Sequence, residues 1–133
     1  MRAFHIEIVT PDGIAYKGEV TSLLVRTDDG DIEILAGHAD LFASVSTGRV
    51  RLTIDGQEKF ASVNGGFLSV KGKDVRLCAI TFEFADQIDL KRAEAARARA
   101  EAALQSAKDD RDERIAKAKL LRAASRINVA NMK

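Results

Sequence analysis

The sequence predicts an all-β sandwich of about ten short strands followed by an α-helical hairpin. Three observations carry this. All nine glycines lie between Gly13 and Gly72, and the sole proline is Pro11. Apolar residues over the first 84 positions alternate with polar ones at strand period, broken by turn residues about every ten positions. Fourteen alanines then fall in residues 85–133, where no glycine or proline punctuates the chain. The seam lies near Ala85–Ile88, dividing a sandwich domain, 1–84, from a helical domain, 85–133.

Phe4, Ile6 and Ile8 alternate with His5, Glu7 and Val9 as a half-buried strand. Pro11-Asp12-Gly13 turns the chain into a strand at Ile14–Tyr16. Val20–Val25 forms another, stopped by Asp28-Asp29-Gly30. Ile32, Ile34 and Leu35 resume. Val50, Leu52 and Ile54 run into Asp55-Gly56, a strong hairpin signal. Phe60 and Val63 end at Gly65-Gly66, after which Phe67 and Val70 begin a new strand. Lys71-Gly72-Lys73-Asp74 turns into Val75, Leu77 and Ala79. Cys78, the lone cysteine, sits in the apolar run VRLCAI and is expected as a buried, inert thiol in a reducing compartment.

Several functions find no support in this domain. One tyrosine and no tryptophan supply no stacking platform for single-stranded nucleic acid. There is no GxxxxGK[ST] loop for phosphates. His5 and His38, the only histidines, are too few for a zinc site, and no Ser/His/Asp set stands out. The start, MRAFHIEIVT, lacks the apolar core of a signal peptide. No stretch approaches the roughly 20 apolar residues of a membrane span, so direct membrane insertion is not expected.

From Leu90 on, helix formers dominate. Asp86 or Asp89 caps the first helix, where an acid also suits the helix dipole. Leu90, Ala93, Ala96, Ala100, Ala103 and Ala107 recur at spacings of three and four as a thin apolar face. Lys108-Asp109-Asp110-Arg111 interrupts, and a second helix carries Ala116, Leu120, Ala123 and Ile127 on one face. Two helices and a short polar turn make an antiparallel hairpin. Its seam is energetically poor, since an alanine methyl buries about 0.8 kcal/mol of apolar surface against about 1.5–3 for leucine. The hairpin is therefore expected to dock weakly.

Net charge is +1, but residues 1–84 carry −3 and residues 85–133 carry +4. The tail suits an acidic surface. Antiparallel pairing sets Arg126 roughly across from Ala93 and Arg122 across from Arg97, so that Arg92, Arg99, Arg122 and Arg126 converge on one edge. Gathered guanidinium groups repel unless an anion lies among them, and the planar fork suits phosphate. Spacing alone equally allows a solvated face, with Asp89 and Arg92 as an ordinary pair three residues apart.

The motifs IVTPDGIAYKGEV, DIEILAGHADL, VNGGFLSVKGKDVRLCA and RAASRINVANMK together resemble, over essentially the whole chain, the epsilon subunit of bacterial F-type ATP synthases. The resemblance implies a ten-stranded sandwich with a helical hairpin. It implies a non-catalytic rotor subunit at the foot of the central stalk, helping to couple proton flow to ATP synthesis at the cytoplasmic face of the bacterial membrane, where it is peripheral. The implied partners are the gamma subunit and the c-ring for the sandwich, and the alpha/beta catalytic hexamer for the C-terminal helices. It also implies that the hairpin inhibits ATP hydrolysis when extended. IDLKRA matches the family's ATP-binding pattern I/L-D-x-x-R-A at Ile88, Asp89, Arg92 and Ala93. The resemblance adds Glu83, Arg99, Arg122 and Arg126 to that site, with ATP as a regulatory ligand and no cofactor required. Glu33 stands where the family usually has glycine, and Ala36 and Asp40 where it has proline. Glu33, Gly37 and His38 are the implied interface residues, in a loop expected to be less rigid and more acidic than usual.

The competing reading is a β-sandwich interaction module whose tail forms a coiled coil. It lacks a sustained heptad of large apolar residues.

Overall fold

The computed structural model describes residues 2–132. Seven strands are present: β1 (Phe4–Thr10), β2 (Gly13–Val20), β3 (Ser22–Thr27), β4 (Gly30–Ile34), β5 (Leu41–Ile54), β6 (Gln57–Lys71) and β7 (Asp74–Phe84). Two helices follow, α1 (Leu90–Gln105) and α2 (Asp110–Ala130). The hydrogen-bonded order is β2-β1-β7-β6-β5-β3-β4. Among the described residues only β1 and β7 run parallel. The sheet curls over so that β2 comes against β5, with three strands between them in that order, which encloses one core.

The seven strands replace the expected ten because β5, β6 and β7 are 14, 15 and 11 residues long and each serves both layers. Their inward-facing residues change parity midway. In β5 Val45 is buried, then Val50 and Leu52. In β6 Ala61 and Val63 give way to Leu68 and Val70. In β7 Val75, Leu77 and Ala79 give way to Phe82. The changes fall on one transverse line, since pairing holds the same register on both sides of it. Gly65 and Gly66, with φ of 63° and 132°, make this possible in β6. They bend a strand that continues through them, where local sequence predicts a break. Similarly, Val20 closes β2 and does not open β3, while Leu41–Thr47, given no strand from sequence, is the first half of β5.

Cys78 is half-buried, not buried. Strand alternation places it on the outer face with Arg76 and Ile80, opposite Phe67. That outer face carries a transverse apolar row. Phe67, Cys78, Val9 and Ile14 follow one another across β6, β7, β1 and β2. Phe42 stacks on Phe67 at 5.1 Å, and Phe42, Ile14 and Ile80 are 69%, 61% and 59% exposed.

The hairpin lies on the sandwich through α2, which packs on β5 and β6. Ser62 Oγ and Ser125 Oγ are 2.9 Å apart across this contact. Ser62 faces away from the sandwich core and is buried because α2 covers it. A second, small core joins Ala85 and Ile88 to Val129 and Ala130. The helices meet through buried Ala93, Ala100, Ala116 and Ala123, while Ala103, assigned to the apolar face from its spacing, is exposed and Leu104 takes the half-buried place. The tail thus packs on its own sandwich.

Candidate nucleotide cleft

The cleft is built where the sandwich hands over to the hairpin. β7 ends at Phe84, whose N–H donates to Gln87 Oε1 at 3.0 Å and closes a single turn at Ala85–Gln87. Ile88 then enters the small core, 6% exposed. Asp89 is extended and caps α1, its Oδ1 accepting the Arg92 N–H at 3.1 Å while its carbonyl accepts from Ala93 at 3.0 Å.

The result is a cleft of about 570 Å³ between the end of β7, the first three turns of α1 and Arg126 of α2. Glu83, Ile88, Asp89 and Arg92 line it, as do Ala93, Arg99 and Arg126. Seven of the eight sequence-indicated residues are therefore together. Arg122 is the exception: half-buried on α2, it is not among the lining residues. Residues four apart share a helix face, but the cleft reaches only the end of α2 nearer the sandwich.

Three arginines and three acids face this space, and the acids are not equivalent. Asp89 is committed to its helix cap. Glu83 Oε1 accepts from Arg126 Nε at 2.6 Å, with the two side chains 34% and 32% exposed. Asp12, on the β1–β2 turn, completes the set. Arg92 and Arg99 have no acid partner among the described residues. The lining also has apolar members, Ile80 and Phe82 of β7 and Ala96 of α1. A flat apolar group and an adjoining polyanion would both find complementary surface here. Among the described residues, no group of three or more metal-ligating side chains occurs anywhere.

Thr10, Asp12 and the Ile80–Phe82 wall were not foreseen. Their part depends on the parallel β1–β7 pairing, which local sequence does not encode. The apolar outer row was likewise missed, although Phe67 and Ile80 on the polar side of otherwise alternating strands were a signal for it.

The residues that the resemblance implies as an interface lie elsewhere. Gly37, at φ 81°, and His38 line a separate hollow of about 420 Å³ with Arg2 and Lys73. His38 Nδ1 lies 2.7 Å from the Ala39 carbonyl. Asp40 accepts the Gly72 N–H at 2.8 Å, tying this loop to the β6–β7 turn. Glu33 is engaged within the sandwich, accepting from Ser22 Oγ at 3.1 Å and pairing with Arg51.

Comparison with known proteins matches the chain in two stretches. Residues 3–85 match the family described as ATP synthase, Delta/Epsilon chain, beta-sandwich domain, and residues 86–131 match its long alpha-helix domain. The ATP synthase epsilon chain of Bacillus velezensis is 43% identical over 130 residues, covering 98% of both chains. That of Bacillus cytotoxicus is 38% identical over 133 residues and the full length of both. Among solved structures, a chain of the Euglena gracilis mitochondrial ATP synthase superposes with a TM-score of 0.83 at 20% identity, over 97% of this chain and 81% of that one. A chain of the Tetrahymena thermophila mitochondrial ATP synthase central stalk and c-ring gives 0.65 at 12% identity, over 98% and 95%. At these identities the two structures speak for the fold.

Proposed function

The chain belongs to the delta/epsilon family of ATP synthase subunits, as an epsilon chain without catalytic function of its own, and on that premise we propose that it is a nucleotide-sensing component of the central stalk. The sandwich contacts the gamma subunit and the c-ring, helping to couple proton flow to ATP synthesis. The hairpin binds ATP when folded back and, when released, reaches the alpha/beta hexamer and suppresses hydrolysis. No helix among the described residues is long and apolar enough to cross a membrane. The chain works as a peripheral subunit on the cytoplasmic face, held there by its partners.

The observation that carries the sensing role is the shared cleft, in which Arg92 and Arg99 from α1 and Arg126 from α2 face one space with the end of β7. A polyphosphate bridging these elements binds only the folded-back hairpin. At 100 times its dissociation constant a ligand stabilises the state that binds it by about 2.7 kcal/mol. That is ample to decide the position of a helix pair whose own seam is mostly alanine. The transverse row of Phe42, Phe67 and Ile14 offers the sandwich an apolar face for a stalk partner, and Gly37 and His38 a second contact at the end of the sandwich.

Calorimetry of the full chain with ATP tests the sensor. Saturable heat is expected, severely weakened by Arg92→Ala or Arg126→Ala; absence of heat at millimolar ATP rejects it. Within the assembled enzyme, deletion of residues 88–133 is expected to raise ATP hydrolysis with assembly intact. Unchanged hydrolysis rejects the inhibitory role.

A further inference from the structure

We propose that Glu83 is an internal stand-in for the phosphate, holding Arg126 when no nucleotide is present and yielding it when nucleotide binds. This rests on the cleft being the ATP site and deepens that reading. Three arginines, Arg92, Arg99 and Arg126, line this one cleft, and their mutual repulsion favours an acid partner supplied by the chain itself. The 2.6 Å contact from Arg126 Nε to Glu83 Oε1 supplies that partner for one of them. It is the one ion pair among the described residues that ties the hairpin to the sandwich. Both partners are about two-thirds shielded from water, where a charge-assisted bond is worth more than a surface pair.

Geometry makes the exchange necessary. Glu83 and Arg126 line the same cleft as Arg92 and Arg99. A polyphosphate reaching Arg126 brings negative charge beside the Glu83 carboxylate. Like charges at that range repel, so Arg126 must swing from carboxylate to phosphate or share itself between them. Glu83 therefore has two effects: it keeps the empty hairpin closed, and it sets a threshold that the nucleotide must exceed. The other charged groups facing the pair are Arg92, Arg99, Asp12 and Asp89, and Asp89 is occupied by its cap.

The test follows hairpin closure directly. Fluorophores are placed on Lys59→Cys in the sandwich and Lys108→Cys in the hairpin turn, in a full-length Cys78→Ser background. Without nucleotide, Glu83→Gln is expected to lower the closed-to-open ratio about three- to tenfold. The charge swap Glu83→Arg with Arg126→Glu is expected to restore closure without nucleotide, while no longer responding to ATP. Saturating ATP is expected to reclose Glu83→Gln. A Glu83→Gln hairpin as closed as wild type without nucleotide overturns the proposal, as does a charge swap no better than its single variants. If the swap restores closure but ATP fails to reclose Glu83→Gln, the nucleotide reading falls and takes the exchange with it, leaving the ion pair as a plain latch. Far-ultraviolet circular dichroism reports in each variant that the sandwich is intact.

Discussion

The Asp89 carboxylate accepts the backbone N–H of Arg92 at 3.1 Å, across the first turn of α1. The acid and base of IDLKRA are therefore joined through the backbone, which leaves the Arg92 guanidinium free to face the cleft. Asp89→Ala is expected to remove the cap, costing about 1 kcal/mol of helix stability. It should also blur the direction of Arg92, weakening ATP binding, whereas Asp89→Ser should retain most of both. Amide exchange over residues 90–93, beside calorimetry, checks this.

Arg126 and Arg122 are expected to separate. The first lines the cleft and the second does not. Arg126→Ala should weaken ATP binding tenfold or more, the loss of a charge-assisted contact worth about 1.5–3 kcal/mol. Arg122→Ala should have a clearly smaller effect, and equal losses in paired titrations would mean that the nucleotide draws the helices into a different arrangement.

Gly66 cannot carry a side chain. Its φ is 132°, and a Cβ there would lie 1.9 Å from the Cys78 carbonyl oxygen of the neighbouring strand. Gly66→Ala is expected to cost about 3 kcal/mol or more, combining backbone strain with a clash neither strand can relieve. Gly56→Ala, at φ 77° in open space, should cost only about 1 kcal/mol. Urea midpoints of the two variants decide this.

Tyr16 is the sole tyrosine. Burial, and then the nearby Asp55 and Glu19 carboxylates, raise its phenol above the ordinary 10.0. The folded protein thus holds this proton more tightly than the unfolded chain. That contribution to stability is complete below the unfolded value and is lost as pH rises through the folded one. An absorbance titration should show a midpoint above that of the urea-unfolded chain.

Phe42 is 69% exposed and stacked on Phe67. Phe42→Ser should leave the isolated chain's stability nearly unchanged while weakening its binding to the stalk partner about tenfold, as loss of an aromatic anchor does. Co-purification and unfolding measured together separate the two effects.

Much of this was legible in the primary sequence. Alternation identified the strands around Ile6, Leu52 and Leu77, and alanine spacing identified the hairpin. The acid at Asp89 marked the start of α1. Local chemistry settles these features, because each depends on a residue's own backbone preference or on neighbours a few positions away. Other features arose only from the tertiary structure. Gly65-Gly66 reads locally as a strand break and proves to be a bend, since paired strands on both sides keep the ladder going. Ser62 is buried by a helix whose Ser125, 63 positions further along the chain, meets it. The charges of Glu83 and Arg126 give no sign of their contact, which crosses 43 positions. Such meetings are set by which faces must leave water together, and that is decided by the whole chain at once.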